Sequence, residues 1–258
     1  MLPLVLVHGV RVSATMWNPV VPHLGRPTAA VDLPGHGTRK GEPFTMGTAA
    51  SAVADAIDRL GGRAIVAGLS LGGYVGIAAA ERFPDRVAGL VAMGCTTRAP
   101  RTGASGPEHG DTRPAPGRSR LRAVRRPSWA DGYRIAASLA ARNPSFADRL
   151  SAYALRRLFP GPVGEAFVAG GLSCEVLPQV VEAVTGHDQL AALAAYPGRV
   201  WLVNGSRDPF RANERDFLRA CRDGRLILIP RRGHLGVMAA PRPLARLIGD
   251  LCVQAEAA

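Results

Sequence analysis

Six short apolar runs punctuate the chain, at residues 2–7, 28–32, 64–69, 87–93, 200–204 and 226–229. Each is rich in Val, Ile, Leu or Ala and is closed by Gly or Pro, and none alternates apolar with polar. Continuous apolar runs of this length suit strands buried on both faces of a parallel sheet. The intervals between them carry a helical period. Residues 46–60 set Ala49, Val53, Ala56, Ile57 and Leu60 on one face of a helix. Residues 71–83 read as a second helix, stopped by Pro84, and residues 213–222 and 243–253 as two later ones. Strand alternating with helix predicts an α/β fold, a mainly parallel sheet of about six strands with right-handed crossovers and helices on both faces.

The rhythm breaks between Thr97 and Arg199. Residues 98–128 are rich in Pro, Gly and Arg and read as a connector. Residues 129–158 read as helix in two pieces, split at Asn143-Pro144, and residues 167–190 as more helix. The domain division that follows is a core of residues 1–97 and 199–258, with residues 98–198 inserted as an Arg/Pro-rich helical cap.

Charge changes this picture at one place. The chain of 258 residues carries a formal charge of +12, almost all of it arginine, since Lys40 is the only lysine. Residues 98–157 hold thirteen arginines against four acids. A solvated basic face is one use for them and an electropositive rim for an anionic substrate is another. No helix-turn-helix, zinc finger or aromatic-interleaved basic stripe accompanies the charge, so nucleic acid is not an expected partner. The four cysteines (Cys95, Cys174, Cys221, Cys252) are far apart and lack metal spacing, so they read as small buried hydrophobes of a reducing compartment and no metal site is expected. The apolar start MLPLVLVHG has no basic flank or cleavage site, and no run reaches a membrane span, so a soluble, cytoplasmic protein with no membrane partner is expected. The sequence leaves the oligomeric state open.

The candidate chemistry lies in VAGLSLGGYVG, residues 66–76. A serine stands between two glycines at the junction of a strand and a helix. A turn sharp enough to lift the Ser70 hydroxyl above the sheet edge leaves no room for side chains two positions before and after it, and Gly68 and Gly72 supply that room. The following helix N-terminus favours developing negative charge. A serine needs a base, and the base needs an orienting acid. Asp208 stands just past the fifth apolar run and His234 just past the sixth, so Ser70, Asp208 and His234 belong on neighbouring loops at one sheet edge. The other histidines fit less well: His8 and His36 sit in strand-end turns, and His23, His109 and His187 in helical or inserted segments. Asp216 and Asp250 fall inside helices, and Asp32 is expected to hydrogen-bond its own turn. The oxyanion donors expected are the amides of Leu71 and Val10, with Arg11 as second choice. Arg11, Met16, Trp17, Trp129 and Tyr133 are candidate substrate contacts, a core role being equally open to Met16 and Trp17; Trp129, Tyr133, Phe146 and Tyr153 can line the pocket under a cap or pack the cap's own core.

The segments LVHG, VDLPGHG, GLSLGG, NGSRDP and RRGHLGVMAAP, in that order over residues 4 to 241, resemble the α/β-hydrolase family. The resemblance implies a cap between the family's sixth and seventh strands, and a chain that begins where its third strand normally does. Within the family, residues 17–38 look like those of small esterases and thioesterases and of the menaquinone-pathway synthase. That synthase subgroup usually has a basic residue soon after the serine turn, where this chain has Tyr74. The implied activity is cleavage of a carboxylic ester or thioester without a cofactor. The substrate would be a small acyl ester or thioester, with an anionic carrier favoured by the basic insert. Triad-bearing lyases and tailoring enzymes of the same fold are the alternative, and a fold kept only for binding is a third.

Overall fold

The computed structural model describes residues 1–98 and 142–257, together with 138 and 140. Six strands form one parallel sheet: β1 (Leu4–Val7), β2 (Thr28–Val31), β3 (Ala64–Leu69), β4 (Val87–Met93), β5 (Arg199–Gly205) and β6 (Asp223–Ile229). Their order is β2-β1-β3-β4-β5-β6. The order reverses between β1 and β3, which opens a crevice above the carboxyl ends of those two strands.

The apolar runs are continuous because both faces are covered. Val5, Val7, Val66, Leu90, Ala92, Val200 and Leu202 join one core with helices α1 (Met46–Arg59) and α2 (Leu71–Arg82). Their sequence neighbours Leu4, Leu6, Ile65, Ala67, Val91, Trp201 and Val203 join a second core. Helix α8 (Pro241–Glu256) closes that face with Leu244, Ile248 and Leu251, and a short turn of helix at Ala14–Trp17 completes it with Met16 and Trp17. Alternate residues of a strand point to opposite faces, so a strand buried twice is apolar along most of its length.

Two elements start where composition alone does not place them. The first apolar run begins at Leu2, but β1 begins at Leu4, where the ladder to Thr28 and Ile65 begins. At the other edge β6 reaches back to Asp223, because its register pairs Arg199 with Asp223 and the two side chains form an ion pair at 2.6 Å. The polar start of β6 lies on an edge strand with one side open to solvent, which is why no apolar signal marks it.

Between β4 and β5 the described residues form α3 (Pro144–Leu158), α4 (Pro162–Ala169), α5 (Leu177–Gly186) and α6 (Gln189–Ala195). Asn143 caps α3 by accepting from the Phe146 amide, so the Asn-Pro pair starts a helix as the sequence indicates. The helices divide by what they bury. Val180 and Val184 of α5 and Ala192 and Leu193 of α6 belong to the sheet's own core. Leu155 of α3 and Phe167 of α4 pack on the opposite side, with the second core. Helix α7 (Glu214–Ala220) lies between β5 and β6 and buries Phe217. Among the described residues no single helix is long and apolar enough to cross a membrane.

Candidate active site

Each part of the site comes from the carboxyl end of a strand. Ser70 follows β3 and directly precedes α2, with φ 57° and ψ −115°. This is a costly conformation for a residue with a side chain, of roughly 1–3 kcal/mol, and it persists because the neighbours impose it. The Ser70 amide is tied to Met93 O at 2.7 Å. A Cβ on Gly68 would sit 2.1 Å from Gly72 O, and a Cβ on Gly72 would sit 2.2 Å from Val7 O. The two glycines therefore let the turn fold on itself and let α2 press against β1. Gly73 is a third constraint, outside the Gly-x-Ser-x-Gly pattern: a Cβ there would lie 2.5 Å from the sulfur of Cys95.

Asp208 follows β5 and His234 follows β6. His234 Nδ1 lies 2.9 Å from Asp208 Oδ2, and His234 Nε2 lies 2.9 Å from Ser70 Oγ. Asp208 is 3% exposed, and its second oxygen accepts the Phe210 amide at 2.8 Å. With Nδ1–H donating to a carboxylate that has nothing to give, Nε2 is left to accept the serine proton. The Phe210 ring packs against the imidazole, with ring centroids 4.5 Å apart and planes tilted by 39°. The loops carrying acid and base are laced together: Ser206 N donates to Ile229 O, Arg207 N to Arg232 O, and Arg231 N to Ser206 Oγ. Gly94, at φ 60°, lies under the pair, where a Cβ would sit 3.0 Å from Asp208 Oδ2 and 3.1 Å from the imidazole. Its one sequence signal was a glycine placed directly after β4.

The loop after β1 is fixed by two groups from other turns. His8 is fully buried, with its Nδ1–H donating to Gly9 O at 2.7 Å and its Nε2 accepting the Leu33 amide at 3.0 Å. The bond from Leu33 needs the neutral ring, because a charged imidazole has no acceptor nitrogen. Burial, with the neighbouring His36 adding to it, pushes the His8 pKa down to about 3. Asp32 accepts the Ala14 amide at 2.8 Å and the amide and hydroxyl of Thr38 at 2.9 and 2.8 Å. Burial works against its charge, but those donors outweigh burial and hold its carboxyl below the usual value. Asp32 thus bonds its own turn and also ties down the loop beside Ser70.

Val10 and Leu71 both flank Ser70 in the crevice, and among the described residues neither amide donates to another protein group. The Gly9 amide is taken by the sulfur of Met16 at 3.4 Å, which makes Met16 a support of this loop as well as a wall of the cleft. Trp17 is fully buried in the second core and lines no part of the cleft. Arg11 lines the cleft, with φ 70°. Trp129 and Tyr133 lie outside the described residues. Phe146 and Tyr153 do not line the cleft: they are 54% and 65% exposed on the outer face of α3, and Ser151 and Leu155 on its inner face line the cleft instead. Tyr74, in the position after the serine turn, is buried and donates its hydroxyl to Thr97 O at 2.8 Å.

The crevice has two lobes that meet at Ser70 and Val10. One is bounded by Arg11, Met16, Ser151, Leu155, Phe167 and His234. The other is apolar and lies under α5, bounded by Tyr74, Val180, Val181, Val184 and Phe210. Among the described residues no group of three His, Cys, Asp or Glu side chains is placed to hold a metal ion. A serine, a base hydrogen-bonded to it and a buried acid behind the base can carry out nucleophilic attack on an acyl carbon.

Comparison with known proteins fits this geometry. The model of the alpha/beta hydrolase family matches residues 4–247. The pimeloyl-[acyl-carrier protein] methyl ester esterase of Neisseria meningitidis is 42% identical over 88 residues, 33% of this chain and 33% of that protein. Lipase LipV of Mycobacterium tuberculosis is 39% identical over 90 residues, 34% of each chain. The match thus spans about a third of the length of these curated relatives. A thermophilic esterase from Thermogutta terrifontis superposes with a TM-score of 0.72 at 22% identity, covering 99% of this chain and 90% of its own.

Proposed function

The chain belongs to the alpha/beta hydrolase family, and from that premise we propose that it is a serine hydrolase cleaving a small carboxylic ester or thioester through an acyl-enzyme on Ser70. The observation that carries this reading is the unbroken relay from Ser70 Oγ through His234 to Asp208, with both contacts at 2.9 Å.

His234 Nε2 takes the Ser70 proton as Oγ attacks the acyl carbon. The carbonyl oxygen gains charge and is held by the amides of Leu71 and Val10; loss of one such donor costs about 2.7–4 kcal/mol of transition-state stabilisation. The bond to the leaving group then breaks, and His234 passes its proton to the departing oxygen or sulfur. Water entering the vacated place gives a proton to His234, its oxygen attacks the acyl carbon, and Ser70 is released with that proton. Asp208 holds the imidazole and stabilises its charged form, while remaining ionised itself. No cofactor enters any step.

Residues 98–198 are the cap in this reading. Its described helices form two sides of the crevice, α3 and α4 around one lobe and α5 over the other. The arginine excess in the insert suits an anionic acyl carrier, a reading in keeping with the name of the Neisseria relative. No observation favours the lyase alternative over hydrolysis.

The test is turnover of an activated ester in heavy-oxygen water. A burst of alcohol matched to the enzyme concentration, followed by label in the released acid, is the expected result. Turnover without label in the product would overturn the reading.

A further inference from the structure

Arg11 is an unusual residue for its place. It stands in the loop after β1 at φ 70°, a backbone conformation that strongly favours glycine. A side chain kept at such a cost beside a nucleophile points to a use. Its guanidinium reaches across the cleft to Ser151 Oγ on α3 at 3.1 Å. Its Nε is buried without any acceptor. Among the described residues no carboxylate pairs with it. Asp148, the acid nearest Ser151 on α3, is instead engaged by the Cys174 amide at 3.0 Å and by Lys40 at 3.5 Å. A guanidinium in the wall of an otherwise largely apolar lobe, with a donor unmet, is poised for an acceptor brought by a ligand.

The two lobes can be told apart by chemistry. The leaving-group atom must lie within hydrogen-bond reach of His234 Nε2, which protonates it. His234 lines the lobe that holds Arg11 and is absent from the lining of the lobe under α5. The leaving group therefore departs into the Arg11 lobe, and the acyl chain lies among Val180, Val181 and Val184.

Resting on the hydrolase reading above, we propose that Arg11 is a specificity-determining residue that binds an anionic group carried on the leaving-group half of the substrate, while the valine-lined lobe takes an apolar acyl half. A carboxylate or a phosphate on a short arm would each serve, since both accept the guanidinium fork.

The experiment compares thioesters by kcat/KM at low ionic strength. S-butyryl mercaptopropionate carries an anionic leaving group, S-butyryl mercaptoethanol a neutral one and S-butyryl thiocholine a cationic one. S-glutaryl mercaptoethanol moves the carboxylate to the acyl half. In the wild type the anionic leaving group is expected to outrun the neutral one roughly tenfold or more, with the cationic one slowest. The acyl carboxylate is expected to give no gain. The anionic-to-neutral ratio should fall to near one in Arg11→Gln and be partly kept in Arg11→Lys. Because the ratio is taken within one protein, a general loss of active enzyme cancels. Equal rates for all leaving groups, a gain from the acyl carboxylate, or a ratio unmoved by Arg11→Gln would each overturn the inference while leaving the hydrolase reading intact. No turnover of any thioester or activated ester would overturn both.

Discussion

At the residue scale the site depends on a few groups whose ionisation is set by their surroundings. His8 is needed neutral, since its Nε2 accepts the Leu33 amide. Its folded pKa is about 3, against an ordinary value of 6.5. The unfolded chain therefore binds the extra proton first. The stability due to His8 is complete above pH 6.5 and is lost as pH falls from there toward 3, by up to about 1.4 kcal/mol per pH unit. His36, lowered by burial, adds in the same direction. Asp32 contributes lower down, because its depressed carboxyl gives stability above its ordinary pKa that is lost as pH falls through the folded value. Urea melts at a series of pH values should show stability falling below about pH 6.5. His8→Gln should be less stable at pH 7.5 and show a shallower fall; an equally steep fall in the variant would remove His8 as the cause. In catalysis, Asp208→Asn should lower kcat by about 10⁴-fold, because an amide at that position no longer fixes the imidazole tautomer. Steady-state kinetics with an activated ester checks this, and near-normal turnover would remove Asp208 from the relay.

At the element scale the turn from β3 into α2 sets the geometry, and the sequence was most legible there. A strand-like run, a Gly-x-Ser-x-Gly turn and a helical period fall within residues 64–83, and each constrains the others. The four central strands were legible because burial on both faces leaves little room for polar residues. Edge elements were less so: β6 starts with Asp223, Gly224 and Arg225, which are held by the ladder to β5 rather than by burial. The stitch from His8 to Leu33 and the glycine under Asp208 and His234 were not legible. They join residues far apart in the chain, and a glycine that closes β4 does not show what it will lie under. For the same reason composition makes Phe146 and Tyr153 available to line the pocket or to pack within a cap, yet α3 turns both outward; composition does not say which face of a helix meets the cleft. The close approach of α2 to β1 predicts that Gly72→Ala destabilises by about 3 kcal/mol or more, since its Cβ meets Val7 O, a backbone atom that cannot step aside. Exposed Gly25 has no atom within 4 Å of a Cβ, so any cost of Gly25→Ala is that of its φ of 64° alone. Thermal melts of the two variants check the contrast, and equal losses would deny the packing argument.

At the scale of the whole molecule, the charge of +12 is a statement about encounter rather than fold. The screening length contracts from about 30 Å at 0.01 M salt to about 8 Å at 0.15 M. Turnover of an anionic carrier thioester, such as an acyl-coenzyme A, is expected to lose kcat/KM across that range, while a neutral p-nitrophenyl ester should hold steady. If the neutral ester outruns the carrier thioester at low salt, the basic insert does not select the carrier. The site itself is a property of the sheet: three strand ends, β3, β5 and β6, bring Ser70, Asp208 and His234 from positions up to 164 residues apart into one relay.

The central claim, that Ser70 is an activated nucleophile, has a direct test. Wild-type protein and Ser70→Ala are treated with a fluorophosphonate, and the adduct is mapped by mass spectrometry of peptides. The relay predicts one phosphonylated residue, Ser70, and no labelling in the variant. A folded wild-type protein that stays unlabelled, or label that persists in Ser70→Ala, would contradict it.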